Sequence, residues 1–183
     1  MSRALVLGAG KSGVAAANFL ADREDSVVLV DSNANPSLPY ELDSRVERAF
    51  GREDNELLEG VTTLVLSPGV PRTNPLIVGA ALKGIPVVGE IELAYTQLTG
   101  TIIAVTGSNG KSTTTALIGE ILKVAGRQPI VAGNIGSPLT AALDPEKPRT
   151  YVLELSSFQL EAVDTFRANV ALLLNVTPDH MDR

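Results

Sequence analysis

Thr106-Gly107-Ser108-Asn109-Gly110-Lys111-Ser112-Thr113 stands between an apolar run, 102–106, and an amphipathic stretch, 113–125, with Leu117, Ile118, Ile121, Leu122 and Ala125 on one face and Gly126 as a stop. A strand feeding a glycine loop that opens a helix predicts a parallel α/β sheet whose helix N-terminus faces an anion. Gly107 and Gly110 let the backbone wrap a triphosphate, Lys111 neutralises β/γ oxygens, and a hydroxyl of Ser112 or Thr113 can ligate Mg²⁺. The spacing is G-x-x-G-K, with Val105 where the commoner G-x-x-x-x-G-K pattern has its first glycine. ATP with Mg²⁺ is the expected cofactor, contacted by Gly107, Ser108, Asn109, Gly110, Lys111, Ser112 and Thr113. The bland alternative, a basic helix N-terminus, runs against the helix dipole.

The same grammar opens the chain. Gly8-Ala9-Gly10-Lys11-Ser12-Gly13 follows the apolar run 4–7 and begins a helical stretch over 12–21. Small residues there permit a tight turn, and the N–H groups of the helix start suit a diphosphate. Asp31 lies at the end of the next run, 27–30, where a ribose-reading carboxylate falls in a dinucleotide fold, with Ser32 and Asn33 beside it. A strand-helix turn without a ligand is the structural alternative, and NAD and a UDP compound both fit the loop. Further β-rich runs at 62–66, 86–88, 129–132, 151–155 and 170–176 complete an alternating pattern. The fold class is therefore α/β: a Rossmann-like N-terminal domain with a parallel sheet over 1–93, then a P-loop-type ATP-binding domain over 94–183. The division falls in the polar stretch 92–100, and 33–39, rich in Asn, Pro and Ser, is a loop.

Composition narrows the class further. The 183 residues hold 21 acidic and 15 basic side chains, a formal charge of −6, with no Lys/Arg block, which excludes a phosphate-backbone footprint and so a nucleic-acid partner. Cysteine is absent, so disulfides and thiolate metal sites are excluded. No apolar stretch approaches the roughly 18 residues of a membrane span. A cytoplasmic, monomeric protein working on small molecules, away from the membrane, is the expectation.

Several polar residues stand where chemistry is expected. Glu154 interrupts the apolar run 151–155, where an unpaired carboxylate is costly to bury; a nucleotide-bound Mg²⁺ would relieve that, as would a salt bridge. Ser67-Pro68-Gly69 ends a run and either lines the crevice at the strand ends or forms a plain turn. Asn134, between Gly133 and Ile135-Gly136, is either a turn residue or a ligand contact. Ser156-Ser157-Phe158-Gln159 has capping-box spacing, so capping and ligand binding are both open for Gln159. His180, the only histidine, sits in a polar cluster past a strand end, the side where phosphates are expected.

These residues together resemble the Mur ligase family, and within it the branch that adds D-glutamate. The most specific pieces are the loop 106–113, Gly133-Asn134-Ile135-Gly136, Leu153-Glu154-Leu155-Ser156-Ser157-Phe158-Gln159-Leu160-Glu161 and Asn175-Val176-Thr177-Pro178-Asp179-His180-Met181-Asp182-Arg183. The resemblance implies an ATP-dependent amide-forming ligase of peptidoglycan synthesis, with UDP-N-acetylmuramoyl-L-alanine and D-glutamate as its partners. It places Lys11 and Ser12 at the diphosphate, Asp31 and Ser32 at the uracil, and Ser67, Asn134 and Gln159 near the sugar nucleotide. Lys111, Glu154 and His180 take the catalytic roles, with Ser112 and Glu154 on one Mg²⁺ and His180 on a second. Asn33 stands where relatives can carry an Arg. Family members are longer, so the remainder of the central domain and a C-terminal amino-acid-binding domain are expected to be missing here and the fragment alone to be inactive. An L-alanine-adding relative, a nicotinamide oxidoreductase and a non-catalytic nucleotide-binding module are the competing readings; the oxidoreductase leaves 106–113 unexplained.

Overall fold

The computed structural model describes residues 2–144 and 146–178. The first sheet collects β1 (Arg3–Leu7), β2 (Ser26–Asp31), β3 (Val46–Phe50), β4 (Thr63–Leu66) and β5 (Val87–Gly89), with helices α1 (Lys11–Leu20) after β1 and α2 (Pro75–Leu82) after β4. Its order is β3-β2-β1-β4-β5, every pair parallel. Helix α3 (Glu90–Tyr95) then leads into β6 (Gly100–Thr106), α4 (Lys111–Val124), β7 (Ile130–Gly133), α5 (Leu139–Ala142), β8 (Arg149–Glu154), α6 (Ser157–Leu160) and β9 (Val170–Leu173). The second sheet runs β7-β8-β6-β9, again parallel throughout. The expected α/β architecture is thus present in both halves.

Burial follows from the pleat. In β1, Ala4 and Val6 join one core with Val14, Ala16, Ala17 and Leu20 of α1, while Leu5 and Leu7 join another with Leu76, Ile77 and Ala80 of α2. Successive side chains point to opposite faces, and both faces of a parallel sheet are covered, so the run reads as continuously apolar. Helix α1 sits close above the first loop because Gly13 has no side chain: a Cβ there would lie 1.7 Å from the Gly8 carbonyl oxygen. The second sheet has its own core, in which Ile102, Tyr151 and Leu153 meet Leu139 of α5 and Ile91 and Ala94 of α3.

Three departures from the sequence reading have local causes. The polar stretch at 92–100 is partly helix α3, whose two buried carboxylates serve the second half. Glu90 Oε1 accepts from Thr140 N at 2.6 Å and Thr140 Oγ1 at 2.8 Å, and burial pushes its carboxyl up from the ordinary range. Burial acts the same way on Glu92, but donors from Thr165, Asp164 and Phe166 outweigh it and hold that carboxyl below its usual value. The stripe expected on α4 is split: Leu117 and Ile121 face outward while Thr115 and Gly119 are buried. The helix lies tight over β7 at Gly119, where a Cβ would come within 2.6 Å of Val131 Cγ2, so its smallest residues take the inside. The run at 170–176 stops as a strand at Leu173, and its tail turns onto the 106–113 loop. Among the described residues no helix is long and apolar enough to cross a membrane.

Candidate active site

Both glycine loops leave the carboxyl ends of their strands, and the ligand crevice of an open parallel sheet lies there, where strand order reverses. In the first sheet the reversal falls at β1, between β2 and β4. Ala9 N donates to Asp31 Oδ2 at 2.7 Å, Asn33 N donates to Asp31 Oδ1 at 2.9 Å, and Ser67 Oγ donates to the Gly8 carbonyl at 3.0 Å. Asp31 and Ser67 therefore shape the loop as well as edging the crevice.

A cleft of about 460 Å³ joins this crevice to the second sheet. Lys11, Ser12, Asp31 and Ser67 line it from the first half, and Asn134 and Gln159 from the second. Six of the residues named for the sugar nucleotide thus share one cavity; Ser32 is exposed and outside that lining. An adjoining cavity of about 430 Å³ shares Pro68, Val70 and Gln159 with it and runs on between the β4 loop and α6. Gln159 is 4% exposed, takes the capping role left open for it, and also borders the cleft. Its Oε1 accepts from Ser156 N at 2.9 Å, and its own N–H donates to Ser156 Oγ at 3.2 Å, closing the capping box. With Oε1 committed, the two N–H bonds of Nε2 are what the residue has left to offer a ligand.

In the second half, the loop after β6 reaches α4 through Gly110, whose φ of 85° precedes helical Lys111. Lys111 Nζ donates to the Gly107 and Ser108 carbonyls at 2.7 and 3.0 Å. The N–H groups of the first helical turn, from Lys111 to Thr113, have no intrahelical acceptor and point along the dipole toward an anion. The N–H groups of Ser108 and Asn109 are instead taken by Asn175, at 3.0 Å to its carbonyl and 2.9 Å to its Oδ1. Asn175 escaped the sequence reading because its partners are backbone groups 66 residues away. Its place after a strand, beside the expected phosphate side, was the available signal.

Glu154, at the end of β8, is 2% exposed. Its Oε1 accepts from Asn134 Nδ2 at 2.6 Å, while Oε2 is buried with no partner among the described residues. An orphaned carboxylate oxygen beside a phosphate-type loop fits a hard, oxygen-seeking cation such as Mg²⁺. Ser112, exposed at the start of α4, is the hydroxyl that could join it. Among the described residues no three His, Cys, Asp or Glu side chains form a cage. His180 lies outside the described residues.

Comparison with known proteins identifies this arrangement. A sequence profile for the MurD-like N-terminal domain of Mur ligases matches residues 2–89, and one for the Mur ligase middle domain matches 105–183. The chain belongs to the Mur ligase family. This Mur ligase chain is 47% identical over 186 aligned residues to a UDP-N-acetylmuramoylalanine--D-glutamate ligase of Pelotomaculum thermopropionicum, covering 99% of this chain and 41% of that protein. It is 44% identical to the protein of the same name in Koribacter versatilis, with the same coverage. The chain spans about 41% of the length of these curated relatives. Its fold matches the crystal structure of UDP-N-acetylmuramate:L-alanyl-gamma-D-glutamyl-meso-diaminopimelate ligase from Neisseria meningitides, with a TM-score of 0.65 at 20% identity over 100% of this chain and 63% of that one. Mur ligases are ATP-dependent, so the family is consistent with the second loop as a phosphate cradle.

Proposed function

We propose that this chain is the sugar-nucleotide- and ATP-binding part of a ligase that joins D-glutamate to UDP-N-acetylmuramoyl-L-alanine in peptidoglycan synthesis. The observation that carries the reading is the single cleft in which Lys11 and Ser12 of the first half meet Asn134 and Gln159 of the second. Asn134 is also hydrogen-bonded to Glu154, so the end of the sugar nucleotide and the nucleotide's cation site share one residue. In this reading the unit 1–93 holds the UDP moiety and 94–183 holds ATP.

The chemistry follows from the groups present. A carboxylate is a poor acyl donor until one oxygen carries a good leaving group. Its oxygen attacks the ATP γ-phosphorus, the bond to the β-bridging oxygen breaks, and ADP leaves. The D-glutamate amine then attacks the acyl carbon, inorganic phosphate departs, and the amine loses a proton to give the amide. Lys111 places a positive charge on phosphate oxygens that gain charge in the first step, and the first turn of α4 adds N–H donors. Glu154 and Ser112 would hold Mg²⁺, which neutralises phosphate charge. Lys11 and Ser12 hold the diphosphate and the capped Gln159 the sugar side, so positioning supplies much of the effect.

Calorimetric titration tests both halves. UDP-N-acetylmuramoyl-L-alanine is expected to bind and NAD(H) not; tight NAD(H) binding with no sugar-nucleotide binding would sink the reading. Glu154→Gln keeps an oxygen for Asn134 but loses the carboxylate. It is expected to weaken ATP binding about tenfold or more with Mg²⁺ and little without it.

A further inference from the structure

The loop after β6 is gripped from two sides. From inside, Lys111 Nζ holds the Gly107 and Ser108 carbonyls. From outside, the segment after β9 lies along it. Ser108 N donates to the Asn175 carbonyl at 3.0 Å and Asn109 N to Asn175 Oδ1 at 2.9 Å, while Asn175 Nδ2 donates back to the Asn109 carbonyl at 2.9 Å. Thr177 N donates to Ser108 Oγ at 2.9 Å, and that hydroxyl donates to the Thr177 carbonyl at 3.0 Å. Gly107, at a φ of 138°, is part of the fit: a Cβ there would lie 2.9 Å from the Asn175 carbonyl oxygen. The Asn175 carboxamide engages a backbone donor and a backbone acceptor of one residue, which a carboxylate or an alkyl group cannot do.

The two grips respond differently to an anion. Lys111 spends two of its three N–H donors on the loop carbonyls, and phosphate oxygens compete with those carbonyls for its charge, so the inner grip weakens as the ligand binds. The outer grip contains no cation for a phosphate to claim. We infer that Asn175 is a positioning residue for the nucleotide loop, holding the backbone of Asn109 in its phosphate-receiving curve once Lys111 is committed to the ligand. This rests on the reading of 106–113 as an ATP site.

The test is ATP titration of the 183-residue chain and of Asn175→Ala and Asn175→Asp, with thermal midpoints and amide exchange at Asn109 measured with and without ATP. The chain itself is expected to bind ATP. Both variants are expected to unfold cooperatively near the parent midpoint and to bind ATP about tenfold more weakly, and Asn175→Ala, which removes the acceptor, to lose protection at the Asn109 amide chiefly in the ATP-bound state. Asn175→Asp retains the acceptor for Asn109 N–H and so is the milder change to the fold; it lacks the donor, and a weakened affinity that persists at high salt, where its added charge is screened from the phosphates, supports the role with an intact midpoint even if Asn175→Ala does not fold. Failure of the parent chain to bind ATP overturns the nucleotide reading itself. Parent-like ATP affinity in a folded variant overturns the positioning role alone. Loss of folding in both variants assigns Asn175 to stability and overturns it too.

Discussion

Thr115 and Glu154 show how one unpartnered buried oxygen can mean opposite things. Both are nearly inaccessible, and each has an oxygen with no hydrogen-bond partner among the described residues. Glu154 stands at a strand end beside the phosphate-type loop, next to Asn134, where the proposed function gives its orphan oxygen a cation to hold. Thr115 lies on the inner face of α4, one turn past Lys111, and its hydroxyl is a desolvated group with nothing to bond. Thr115→Val removes that hydroxyl at nearly constant shape and is expected to raise stability by about 1 kcal/mol, read from the urea midpoint at unchanged slope. The sequence showed Glu154 plainly, because a lone acid in an apolar strand is conspicuous. It showed nothing about Thr115, since a threonine on a helix carries no mark of which way it faces.

At the scale of elements, two short helices carry more than their length suggests. The capping box of α6 is also the mount of a cleft residue: Ser156→Ala is expected to cost about 1 kcal/mol of stability. It should also lower affinity for the sugar nucleotide modestly, because the Gln159 carboxamide loses the Ser156 Oγ donor at 3.2 Å and keeps only the backbone N–H; melting and titration of the same variant measure the two effects. Helix α3 carries two acids with opposite titration. Glu92 has a lowered folded value, so its contribution is fully present above the unfolded value of 4.5 and is lost as pH falls through the folded value. Glu90 has a raised folded value, so its ionisation opposes the fold, and stability declines as pH climbs from 4.5 through the folded value. Glu90→Gln keeps an acceptor for Thr140 without a titrating proton. The variant is expected to gain on the parent as pH rises from 4.5 to 8, seen as a growing difference between their melting midpoints. The spacing S-x-x-Q announced the α6 cap. Helix α3 hid in a stretch that read as polar, because its acids are buried by loops distant in sequence.

For the molecule as a whole, the two sheets face each other across a seam where Gly89 N donates to the Ala162 carbonyl at 3.0 Å and Arg72 Nη2 donates to the Glu161 carbonyl. The cavity of about 430 Å³ lies along that seam and adjoins the cleft, whose own walls come from both halves, so a ligand spanning the cleft contacts both and resists their separation. Sugar nucleotide at about 100 times its dissociation constant is expected to stabilise the chain by about 2.7 kcal/mol, measured as a rise in melting midpoint. A rise with free UDP as large as with the full sugar nucleotide would show that only the first half is engaged.

By itself the sequence determined the class of fold, both units of strand, glycine loop and helix, and the acid at the end of β8, because each is a local event: an apolar run, a glycine turn and a helix start are written in consecutive residues. The tertiary structure alone decided that Lys11 and Gln159 border one cavity, that α4 packs through Thr115 and Gly119 instead of its larger residues, and that Asn175 holds the backbone of Asn109. Those depend on which distant segments the parallel crossovers bring side by side, and hydrogen bonds to backbone leave no trace in the identity of the residue that receives them.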